Sequence, residues 1–160
     1  ESYPAPGFNY RLTDIQAAVG IEQLKRLPEI VRRRRALAAR YRALLAEQVP
    51  QVAPPVEPPW AHSNWQSFAI RLPASANQRA VMQAMLDRGV ATRRGIMCIH
   101  REPAYAAQRP RFPLPHSEAA QDRTILLPLF PQMTEVMQEQ VVEALRAALA
   151  PNMAPARALA

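Results

Sequence analysis

The sequence predicts an α/β domain of the mixed, α+β-like kind: an N-terminal helical pair followed by a small, mainly antiparallel sheet covered by helices. Three observations carry this. Two early segments place apolar residues at helical spacing, short apolar runs bounded by prolines follow, and further helical segments alternate with those runs. The chain has 160 residues and 49% of them are apolar, which is enough for one domain with a real core and too little to expect two.

Pro4, Pro6 and Gly7 prevent a regular element at the start, so residues 1–12 read as an extended lead-in arm. A helix then begins sharply. Thr13 and Gln16 stand at capping-box spacing, Asp14 adds negative charge to the first turn, and Ile15, Ala18, Val19 and Leu24 recur at helical intervals. This helix is expected to end near Leu27. Pro28 suits the first turn of a second helix, in which Ile30, Leu37, Tyr41, Leu44 and Leu45 form an apolar stripe and the arginines face outward.

From Val49 to Pro59 the prolines remove donors, giving a surface connection. Trp65 to Leu72 alternates as a strand with Phe68, Ile70 and Leu72 on one face, and Pro73 closes it. Ser75 and Gln78 again show capping-box spacing ahead of a helix containing Val81, Met82, Met85 and Leu86. Gly89 then stands where a left-handed C-terminal residue is wanted. A short strand is expected at Val90 to Arg93. Gly95 to His116 is the least regular stretch, with Pro103, Pro110, Pro113 and Pro115 forbidding a long element. One or two helical turns follow at Ser117 to Arg123, then a short strand at Thr124 to Leu127. A final helix is capped by Thr134, with Met137, Val141, Leu145 and Leu149 on one stripe. The organisation is therefore an arm (1–12), a domain (13–149) made of the helical pair (13–48) and an α/β part (62–149), and a frayed tail (150–160).

Composition narrows the function classes. No apolar run approaches the length of a bilayer span and no leader-like n-region and h-region is present, so the expectation is a cytoplasmic chain with no membrane partner and, lacking an initiator Met, a fragment. Cys98 is the single cysteine and reads as a small buried hydrophobe; with three scattered histidines it gives no zinc spacing, so no metal is expected. The formal charge of +7 raises the question of nucleic acid. However, Lys25 is the only lysine, and Arg32 to Arg35 surround a helix within one turn, making a solvated basic band and no groove-reading face. No nucleic-acid partner is expected.

The run Gly7-Phe8-Asn9-Tyr10-Arg11-Leu12-Thr13-Asp14-Ile15-Gln16-Ala17-Ala18-Val19-Gly20 resembles the signature of the DegT/StrS-type sugar aminotransferases, fold-type-I enzymes that use pyridoxal phosphate. The resemblance continues at Gln23-Leu24 and in the arginine-rich helix, then at Ser63-Asn64-Trp65-Gln66-Ser67-Phe68 and Ala91-Thr92-Arg93-Arg94-Gly95. It recurs at His100-Arg101-Glu102-Pro103-Ala104-Tyr105, Leu126-Leu127-Pro128-Leu129 and Met133-Thr134. Order and spacing match from about Gly7 to Leu149, as the C-terminal portion of a family member. Phe8 and Leu12 stand where the family often has Tyr and Met, and the polar positions are intact.

The resemblance implies the C-terminal part of an enzyme that moves an amino group, usually from glutamate, to a ketone carbon of a nucleotide-linked sugar in a ping-pong reaction. The cofactor stores electrons while the protein holds its phosphate and supplies the Schiff-base lysine. In the family that lysine lies upstream of the Asn-Tyr-Arg segment, so no catalytic residue is assigned in this chain, and the isolated piece is expected to be inactive. By the same resemblance Asn9 reaches the cofactor phosphate of a homodimer partner subunit. Tyr10 and Arg11 lie near the substrate, and His100 and Tyr105 sit on a loop that approaches the nucleotide sugar, preceded by Arg93 and Arg94.

Read without the resemblance, each residue has a plainer use. Asn9 can satisfy backbone groups in the Pro-Gly lead-in, Tyr10 can pack with its hydroxyl at the rim, and Arg11 can pair with Asp14. His100 can be a satisfied loop histidine and Tyr105 a lid on the Pro-rich loop. Lys25, flanked by Leu24 and Arg26 on a helix with an exposed side, reads as a solvated lysine. Two further functional readings stay open: a non-catalytic interaction or regulatory domain of the same fold, and a sugar dehydratase relative in which histidine replaces the lysine.

Overall fold

The computed structural model describes residues 11–95, 97–102 and 111–150. Among these residues are four α-helices and a three-stranded antiparallel sheet. In chain order these are α1 (Asp14–Gln48), β1 (Phe68–Arg71), α2 (Gln78–Leu86), β2 (Arg93–Arg94), a 3-10 turn (Ile99–Arg101), α3 (Pro115–Arg123), β3 (Thr124–Leu127) and α4 (Glu135–Leu149).

The start of α1 follows the capping-box expectation. The Thr13 hydroxyl accepts from the Gln16 amide at 3.3 Å, and the Gln16 side chain accepts from the Thr13 amide at 3.0 Å. The helical pair is corrected, because α1 runs unbroken for 35 residues with Pro28 inside it. A proline removes one intrahelical bond and crowds the carbonyl four residues back, a penalty of about 3 kcal/mol that falls short of ending a helix. Here both Pro28 and Leu24 are exposed, so water can serve the freed carbonyl, and the helix beyond is anchored by buried Leu37, Ala38, Tyr41 and Leu45. The first half of α1 has no such anchor. Ile15, Val19, Ile21, Leu24 and Leu27 are all exposed, Ile15 by 79%, as is Leu12 just ahead of the helix.

β3 is the central strand, with β1 and β2 on either side. Phe68 pairs with Leu127 and Ile70 with Ile125, so these four side chains share the covered face of the sheet. That face packs against Leu37, Tyr41 and Leu45 of α1, Val81 and Met85 of α2, and Val142 and Leu145 of α4 in one apolar cluster. The Tyr41 and Phe68 rings lie 5.1 Å apart, with Trp65 5.8 Å from Phe68. The opposite face of the sheet carries Ala69, Arg71 and Leu126, together with Arg93, which pairs with Leu126; Arg94, opposite Ile125, belongs to the helix-covered face.

Several local expectations shift by a few residues. Strand β1 is confined to Phe68–Arg71, and β2 to Arg93–Arg94 instead of beginning at Val90. The cap of α2 is Asn77, whose side chain accepts from the Ala80 amide at 3.0 Å, and not Ser75; Asn caps as well as Ser, and it stands nearer the apolar stripe. Gln78 is thereby freed to donate to the carbonyls of Gln121 and Thr124 at 2.8 and 2.7 Å. Gly89 adopts φ +78, the left-handed conformation expected of it. Helix α3 begins at Pro115, two residues earlier than expected, because proline is preorganised for a first turn.

The basic band needs the largest revision. Arg33 donates to the carbonyls of Pro131 and Met133, Arg34 to those of Trp65 and Gln66, and Arg35 to that of Ser63. Pro-rich loops offer carbonyls with few matching amides, and the guanidinium fork suits that surplus. Arg34 thereby clamps a strained point, since buried Trp65 has φ 51, a conformation unfavourable for a bulky residue.

Candidate functional site

The irregular stretch after β2 turns at Cys98 into the 3-10 turn Ile99–Arg101, and α3 lies beside it. The contacts between them are polar. His100 Nε2 lies 2.9 Å from Glu118 Oε1, and Arg101 reaches Glu118 Oε2 at 3.2 Å and Asp122 Oδ1 at 2.7 Å. The Cys98 amide donates to Gln121 Oε1 at 2.5 Å. Positions 118, 121 and 122 fall on one side of a helix at i, i+3 and i+4, so a single face of α3 meets the whole turn.

This arrangement favours the charged forms of Glu118 and Arg101. The hydrogen bond from His100, followed by the Arg101 charge, holds the Glu118 carboxyl below the usual carboxylate range. The bond to Asp122 raises Arg101 further above its already high value. The His100 side chain is only 15% exposed, so the bond to Glu118 restrains a ring that is mostly out of water.

The described residues place two of the expected site residues on separate elements. Arg11 is exposed just ahead of the cap of α1, and the His100 side chain is mostly buried in the 3-10 turn. Asn9, Tyr10 and Tyr105 lie outside the described residues. Arg93 and Arg94, exposed on β2, do precede the His100 turn. Glu118, Gln121 and Asp122 were missed by the sequence reading. Their signal was an acid and amide row at helical spacing, but its partner lies 18 residues away across prolines.

Pyridoxal phosphate requires a desolvated lysine amine and a cradle for its phosphate. Lys25 is 64% exposed and paired with Glu22 at 2.5 Å, so the one lysine does not fit the first need. The Cys98 thiol is buried, as expected of a small hydrophobe. Among the described residues no cluster of three His, Cys, Asp or Glu could hold a metal ion, and no helix is long and apolar enough to cross a membrane.

A family model for the DegT/DnrJ/EryC1/StrS aminotransferase family matches residues 2–146. The chain belongs to that family. Among solved structures it is similar to an aminotransferase TlmJ from Streptoalloteichus hindustanus, with 35% identity and a TM-score of 0.76 over 86% of this chain and 36% of that one. It is also similar to DesV from S. venezuelae, solved in complex with a ketimine intermediate, with 30% identity and a TM-score of 0.80 over 94% and 40% of the two chains. A third, the sugar aminotransferase CalS13 from Micromonospora echinospora, gives 26% identity and a TM-score of 0.76 over 88% and 37%. This family member thus spans about two fifths of the length of the structures it matches, and its fold is that of a part of a fold-type-I aminotransferase.

Proposed function

We propose that the chain is the C-terminal small domain of a pyridoxal-phosphate-dependent aminotransferase that aminates a nucleotide-linked keto sugar, with glutamate as donor. The family match over residues 2–146 carries this reading, and the sugar aminotransferases among its structural neighbours support it. When bound in the complete enzyme, the cofactor supplies the electron sink for moving the amino group. This chain's own part is to bind and orient. Asn9 reaches the cofactor phosphate across a homodimer interface, while Tyr10, Arg11, His100 and Tyr105 face the nucleotide sugar. The 160-residue chain alone is inactive, because Lys25 is exposed and already ion-paired. The setting is cytoplasmic, and nucleic acid is not a partner: Arg33, Arg34 and Arg35, the centre of the basic band, are committed to loop carbonyls.

The deciding experiment uses the complete protein supplied with pyridoxal phosphate. Adding glutamate should convert its absorbance to that of the amine form, and a nucleotide-linked keto sugar should restore it. A folded, cofactor-loaded protein whose spectrum does not respond to glutamate would overturn the aminotransferase reading and favour a dehydratase or regulatory relative.

A further inference from the structure

Helix α3 differs from the other three helices in burying no side chain at all. Apolar burial, which seats α1, α2 and α4, therefore does not account for its position. Its contacts with the preceding turn are instead the polar row Glu118, Gln121 and Asp122, directed at three nearly consecutive residues, Cys98, His100 and Arg101.

We propose that α3 is a clasp for the His100 turn and that Glu118 is a positioning residue, fixing the His100 ring so that Nδ1 is the atom offered to substrate. The inference rests on the proposed function for the identity of that substrate, but the clasp itself does not. An ionised carboxylate can only accept hydrogen bonds, so the ring nitrogen 2.9 Å from Glu118 must carry the proton. Neutral imidazole has one N–H, and Nδ1 then holds a lone pair. Among the described residues Nδ1 of His100 has no partner. It can accept a hydrogen bond from a hydroxyl of the sugar or nucleoside. Arg101 strengthens the arrangement from the other side, because it occupies the second Glu118 oxygen and is itself held by Asp122. The carboxylate cannot swing away from His100 without breaking that pair as well.

Two measurements test this. In the 160-residue chain labelled with nitrogen-15, the neutral form of His100 should carry its proton on Nε2 and leave Nδ1 unprotonated. The Nε2 proton should exchange slowly in wild type and at least about tenfold faster in Glu118→Ala, with Glu118→Gln, which keeps an acceptor, close to wild type. Wild-type exchange in Glu118→Ala, or a neutral His100 with its proton on Nδ1 in wild type, would overturn the clasp. In the complete enzyme, Glu118→Ala and His100→Ala should each raise KM for the nucleotide sugar by roughly tenfold with a much smaller fall in kcat. Because one acts through the other, the double variant should be no worse than His100→Ala alone. Multiplying effects would refute the positioning role. A wild-type enzyme that turns over no nucleotide sugar would refute the proposed function, while the nitrogen-15 measurement still decides the clasp.

Discussion

Replacing Gln138 by Met should stabilise this domain, although it deletes a hydrogen bond from the core. Gln138 is fully buried; its Nε2 donates to the Leu37 carbonyl at 2.9 Å, while its Oε1 has no partner among the described residues. The bond that would be lost goes to a carbonyl already placed to accept an intrahelical bond within α1, so its removal orphans nothing and costs about 1 kcal/mol. The unpaired Oε1 is penalised by roughly 1–3 kcal/mol, and that penalty disappears with the amide. Methionine is similarly long and unbranched, so little cavity or overpacking energy enters. The net expectation is a gain of about 1 kcal/mol, which a urea slope of about 2 kcal/mol per molar converts into a midpoint increase of roughly half a molar. Gln138→Glu should do the reverse, since it places an uncompensated charge in the same space. Urea unfolding followed by circular dichroism checks both. A loss of 1 kcal/mol or more in Gln138→Met would refute the reasoning and show that Oε1 is satisfied in solution.

Other expectations follow from the same contacts. Tyr41→Phe should lose about 1–2 kcal/mol, because the buried hydroxyl donates to the Pro128 carbonyl at 3.0 Å; a differential scanning measurement would show it. Burial also pushes the Tyr41 phenol well above its ordinary value of 10.0, so the stability tied to it is complete below that value and declines as pH rises beyond it. Absorbance titration should show Tyr41 ionising only with unfolding. The depressed Glu118 carboxyl has the opposite sign: its contribution is present above the ordinary carboxylate range and is lost as pH falls through its lower folded value. Carbon-13 titration should show that depression shrink in His100→Ala without vanishing, because Arg101 still faces the carboxylate. Gly95→Ala should destabilise by about 1–3 kcal/mol, because a Cβ there would come within 3.0 Å of Thr124 Cβ across the β2–β3 pair; an unchanged urea midpoint would contradict it. Pro28→Ala should gain helix stability of up to about 3 kcal/mol, read as a raised midpoint without loss of helical signal.

Local chemistry was readable in the sequence wherever it is decided within a few residues. Thr13 and Gln16 cap α1 through bonds three residues long, Gly89 takes its left-handed turn, and β3 lies between Arg123 and Pro128 where the apolar run placed it. The family signature was legible for the same reason, being a contiguous run. What escaped depends on distance. Arg33 meets carbonyls 98 and 100 residues away, so periodicity could only assign it to the outward face. The stripe on α4 is rotated from its expected position, with Met137 43% exposed and polar Gln138 buried, because the neighbouring Leu37 carbonyl offers Gln138 a partner. Pro28 misled by its usual meaning, since no local rule says that its turn of the helix lies in water. The Glu118 contact with His100 joins two segments across an irregular stretch, where no spacing rule links an acid to a histidine.

The row of exposed side chains along the first half of α1 bears on any stability measured with this chain. A body that covers Ile15, Val19 and Leu24 binds them in the arrangement the folded helix creates, and so draws the equilibrium toward the native state by mass action. The midpoint of the chain by itself is then a floor. Substitutions in the buried cluster around Tyr41 and Phe68 should shift that floor directly, whereas substitutions along the exposed row should leave it nearly still and register only when something occupies the helix.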